Sequence, residues 1–70
     1  MDIHVTYTSV DRYRKSAYFK TLAGAQAFAQ KWVGKHPEIS HGFGYAVSGD
    51  GIGKVTCEGC AIADLFPEAP

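Results

Sequence analysis

"TLAGAQAFAQKWVGKHP", Thr21 to Pro37, is the stretch on which the fold turns. Leu22, Ala25, Phe28, Ala29, Trp32, Val33 and His36 recur at intervals of three and four and share one stripe of a helix. Gln26, Gln30 and Lys31 fall off that stripe. Thr21 stands where an N-cap belongs, its hydroxyl accepting from a first-turn N–H that has no partner within the helix. Gly34 or Pro37 ends the helix. Gly24 weakens it by up to about 1 kcal/mol relative to Ala and lets it approach a neighbouring layer closely. A helix with one apolar stripe must bury it against a second layer.

The flanking segments supply that layer. In "IHVTYTS", Ile3, Val5 and Tyr7 alternate with His4, Thr6 and Thr8, the period of a half-buried strand. "SVDRY" is a polar turn, and "RKSAYFK" a second strand paired antiparallel, because the connection is too short for a crossover. After the helix, "EISHG" reads as a loop. "FGYAVSG" and "GKVTCEG" read as two more strands joined through "SGDGIG", whose glycines suit a tight hairpin. Ile62, Leu65 and Phe66 of "AIADLFP" are spaced for a short helical turn that plugs one end of the core. The expectation is one α+β domain over 1–70, a two-layer ββαββ arrangement with one helix on a four-stranded antiparallel sheet and a frayed tail at 68–70. Its core is expected to hold Val5, Tyr7, Phe19, Phe28, Trp32, Tyr45, Val47 and Val55.

Composition bounds the function. Seventy residues make one domain, and the apolar content of 46% with nine aromatics favours a folded globule. No apolar run approaches the ~20 residues of a membrane span. "MDIHVTYTS" lacks a basic segment followed by an apolar one, so no signal peptide is expected. A cytoplasmic protein with reduced thiols, and no contact with membranes, is the expectation. The formal net charge is zero, yet residues 1–36 carry six cations and two acids, whereas 37–70 carry one cation and five acids.

Cys57-Glu58-Gly59-Cys60 is the one pattern with metal-ligand spacing. A structural zinc site takes four N or S ligands. Here the missing two would be His36 and His41 of "HPEISH", which gives the alternative of a small zinc domain using Cys57, Cys60, His36 and His41. The competing reading makes Cys57 a small core residue on the face of Val55, with no metal and no cofactor. Thioredoxin-type chemistry needs the pair at the start of a substantial helix, and "AIADLFP" is barely a turn. "GDGIG" lacks both the dinucleotide and the P-loop pattern. Ser9, Ser16, Ser40 and Ser48 have no catalytic motif around them, so no enzyme is expected.

The sheet face turned away from the helix has no partner within the chain. His4, Thr6, Thr8, Arg14, Ser16, Tyr18 and Lys20 are expected on it, extended by Ala46, Ser48, Lys54 and Thr56. This makes the chain a small non-enzymatic binding module. A protein partner or self-association ranks first. The alternative is nucleic acid, with bases stacked on an aromatic and phosphates held by cations. Arg12, Arg14, Lys15, Tyr18, Lys20 and Lys54 form the candidate surface under either reading.

Residues 5–32 carry a resemblance. The basic hairpin running into Phe19-Lys20-Thr21, then Ala25, Phe28 and Trp32 on the helix, resembles the AP2-like arm-type DNA-binding module of phage-type integrases. The resemblance implies a sheet that enters the DNA major groove and nominates Arg12, Arg14, Lys15 and Tyr18. This chain departs from the module in having two strands before the helix rather than three and a hairpin after it. As a whole it looks like the short proteins common in bacterial and prophage genomes.

Overall fold

The computed structural model describes residues 2–40, 44–47 and 53–68. Alternation in the first segment becomes strand β1 (Ile3–Ser9), with Ile3, Val5 and Tyr7 buried. Strand β2 (Arg14–Phe19) follows and pairs antiparallel with it, Ile3 opposite Phe19 and Thr8 opposite Arg14. Helix α1 (Leu22–Val33) starts at the expected cap, where Thr21 Oγ1 accepts from Gly24 N–H at 3.3 Å, and stops at Gly34. Gly24 sits beneath the Phe19 ring, as a close approach of helix to sheet requires. No helix among the described residues is long and apolar enough to cross a membrane.

Among the described residues the sheet has five strands rather than four, in the order β2-β1-β5-β4-β3 and antiparallel throughout. The added strand is β3 (Glu38–Ser40), in the segment expected to be a loop. Three residues are too few to show a period, and β3 is held as an edge strand by pairing with β4 (Tyr45–Val47). Strand β5 (Gly53–Glu58) lies between β4 and β1. The ββαββ order therefore becomes ββαβββ.

Strand β4 also corrects the expected core. Cross-strand partners share a face, and Ala46 pairs with Val55, so Ala46 points to the helix and is fully buried. Tyr45 and Val47, expected in the core, turn to the opposite face and are half-buried. Their bulk suggested the reverse, but the partner strand sets the phase. Ser48, expected to extend the open face, lies outside the described residues.

Ala25, Ala29 and Val33 are the buried residues of α1; Phe28 and Trp32 pack half-buried at its flank. Leu22, placed on the stripe, is the first residue of α1 and is 40% exposed. The last segment forms a 3₁₀ turn over Ile62–Leu65, and Ile62, Leu65 and Phe66 enter the core. Gln26 Nε2 donates to the Asp64 carbonyl at 2.8 Å and Gln30 Nε2 to the Leu65 carbonyl at 2.9 Å. The polar edge of α1 thus fastens the terminal turn. Glu68, assigned to the frayed tail, accepts at its carbonyl from His36 Nδ1 at 2.9 Å. The remaining tail residues, 69 and 70, lie outside the described residues.

Candidate functional site

Register sorts the candidate residues. Arg14, Thr8 and Lys54 are opposite one another on three adjacent strands, so both cations stand on the open face with Thr8 between them. Neighbouring strands are about 4.8 Å apart, which puts their backbones roughly 10 Å from each other. Tyr18 and His4 are paired in the same way at the far end of that face. Their rings stack, 4.3 Å between centroids and 10° between planes, and Tyr18 is 71% exposed. Ser16, Thr6, Thr56 and Tyr45 form the row between.

Lys15 departs from the set. It pairs with Tyr7, on the helix side of the sheet, and its Nζ lies 5.6 Å from the Tyr13 ring centre. Lys20 follows the last residue of β2 and is exposed. Arg12 is at the tip of the β1–β2 turn with φ 70°, a left-handed conformation uncommon for a residue with a side chain. The turn is held around it. Asp11 accepts from the Ser9 hydroxyl and from Tyr13 N–H, and these bonds set its carboxyl below the ordinary carboxylate range. Arg12 is consequently presented outward on a braced loop.

Sequence reasoning missed Tyr45 on this face. Its ring lies 5.3 Å from Lys54 Nζ, and with Thr8, Val47 and Gly53 it lines a hollow of about 360 Å³ beside that lysine. The only available signal was the phase of Val55, which fixes Ala46 and therefore its neighbours.

Cys57 and Cys60 form a separate feature. Cys57 pairs with Val5 and faces the helix side, as its alternation with Val55 indicated. Its thiol donates to the Cys60 carbonyl at 3.0 Å, and the two sulfurs are 3.4 Å apart. Gly59 makes the turn between them at φ 96°, where a β-carbon would meet the Asp2 backbone oxygen at 2.6 Å. No group of three or more metal-ligating side chains forms among the described residues. His36 is therefore not brought to the cysteines, and His41 lies outside the described residues.

Burial, then the contact with Cys60 and the charge of Asp64, push the Cys57 thiol up to about 12. An ordinary thiol ionises near 8.5. Below that value the group is protonated whether the chain is folded or not. Above it the unfolded chain gives up a proton that the folded one keeps, so stability falls as pH rises toward 12. The melting temperature is expected to drop between pH 9 and 11 more steeply in the wild type than in Cys57→Ala. Parallel curves for the two proteins would show that the thiol is not held in this environment.

No family model, curated protein or solved structure matches the chain.

Proposed function

We propose that the chain is a non-catalytic binding module whose working surface is the open sheet face with its β2 edge, and that its ligand is single-stranded nucleic acid. The observation that carries the reading is the exposed Tyr18 ring stacked on His4, on the same face as Arg14 and Lys54. A base stacked on such a ring contributes about 1–3 kcal/mol with little regard to sequence, while cations track the backbone. Among the described residues, the exposed large apolar side chains Val10, Tyr13, Tyr18 and Leu22 all fall between residues 10 and 22, interleaved with Arg12, Arg14, Lys15 and Lys20.

The same charges disfavour self-association. Strand β2 is an edge of the sheet, and a second copy pairing its own β2 there would bring two sets of cations together. Like charges facing across strands are destabilising, and lysines on an edge strand protect it from such pairing. A polyanion meets no such opposition.

Fluorescence anisotropy with a labelled single-stranded oligonucleotide tests the reading. Contacts from Arg12, Arg14, Lys20 and Lys54 predict a slope of log K against log salt of roughly −3, at about 0.7 per phosphate. Tyr18→Ala is expected to weaken binding by about 5- to 150-fold, and Tyr18→Phe far less. No binding at low salt ends the proposal. A doubled mass in light scattering, insensitive to salt, would favour self-association instead.

A further inference from the structure

The thiols at the end of β5 lie away from the open face and have chemistry of their own. Three observations combine there. The sulfurs touch at 3.4 Å, across a turn whose glycine has the positive φ needed to fold the chain back. The Cys57 S–H is committed to the Cys60 carbonyl. A hollow of about 260 Å³ is lined by both cysteines together with Gly44, Ala61, Ile62 and Ala63.

We propose that Cys57 and Cys60 form a thiol–disulfide exchange site, which takes small-molecule disulfides of the glutathione class and closes to an intramolecular disulfide. Exchange begins when a thiolate attacks a disulfide sulfur. Cys60 is the entry thiol, because Cys57 holds its proton against a carbonyl and burial makes that proton hard to remove. The Cys60 thiolate attacks one sulfur of R–S–S–R. A Cys60–S–S–R bond forms, the original S–S bond breaks, and RS⁻ leaves and takes up a proton. Cys57 then gives its proton to solvent and attacks the Cys60 sulfur, releasing the second RS⁻. Two protein thiols are oxidised by two electrons, and one external disulfide becomes two thiols. Only a four-residue turn follows Cys60, without the long helix that would activate a catalytic thiol, so the site is a stoichiometric one.

The test incubates the folded protein with oxidised glutathione and reads the intact mass without reductant. The wild type is expected to become two hydrogens lighter and to retain no glutathione. Cys57→Ser is expected to retain one glutathione, and Cys60→Ser to react at least tenfold more slowly than Cys57→Ser. A wild type that keeps the adduct instead of closing, or a Cys60→Ser as fast as Cys57→Ser, overturns the proposal. Should either variant fail to fold, phenylarsine oxide on the wild type decides, since it bridges two convergent thiols with loss of water. One arsenic per chain with an unchanged circular dichroism spectrum supports the site. Bridging only in urea overturns it.

Discussion

Phe66→Ala is expected to cost about 3–5 kcal/mol, the range for deleting a large aromatic from a packed interior. A domain of this size has roughly 3.5–10 kcal/mol in all, at about 0.05–0.15 kcal/mol per residue, so the variant should be largely unfolded at 37 °C. Phe66 is 2% exposed, and Leu65 beside it is fully buried. The terminal turn packs against α1, to which Gln26 and Gln30 bind it through the carbonyls of Asp64 and Leu65. Removing the ring leaves those bonds holding a turn with a void beneath it. Urea denaturation followed by circular dichroism measures the loss. A wild-type midpoint would mean that the turn is not docked.

Trp32→Ala is expected to be comparably damaging, at about 3–5 kcal/mol, although Trp32 is only half-buried. Its ring stacks on Tyr7 at 4.7 Å and 16°, and meets Tyr13 and Phe28 at an angle. Tyr7 in turn lies over Gly53, where any β-carbon would collide with its ring. The cluster therefore couples α1, β1, β5 and the β1–β2 turn. Trp32→Phe separates ring from nitrogen. Trp32 Nε1 is buried with no hydrogen-bond partner among the described residues. An unpaired buried donor costs roughly 1–3 kcal/mol. The phenyl ring keeps part of the stack and removes that cost, so Trp32→Phe should lose less than half of what Trp32→Ala loses. Equal losses in the two variants would show that the indole nitrogen is satisfied.

Local periodicity made the first hairpin, the helix with its Thr21 cap and the terminal turn legible in the sequence. Each is set by residues near one another in the chain. What escaped was set by pairing. The phase of β4 follows from Ala46 meeting Val55, and β3 exists because Ile39 finds Ala46. Neither partner is implied by its own neighbours. The candidate surface divides in the same way. Alternation along β1 and β2 correctly placed His4, Thr8, Arg14 and Tyr18 on one face. It also excluded Lys15, which was nominated for its charge. Tyr45 was out of reach until the phase of its strand was known.

The pairing of β1 with β5 at the centre of the sheet has a consequence for the order of folding. His4 meets Glu58 and Ser9 meets Gly53, so the middle of the sheet joins segments synthesised far apart. On the ribosome, β1, β2 and α1 emerge early and must wait. Until β5 arrives, β1 has a bare hydrogen-bonding edge and the apolar stripe of α1 has half a floor. Closing that long loop precedes the contacts that reward it, so the helical signal should appear early and the burial of Val55, Leu65 and Phe66 late. In that interval the nascent chain presents an unpaired strand edge, the feature most prone to capture by another chain.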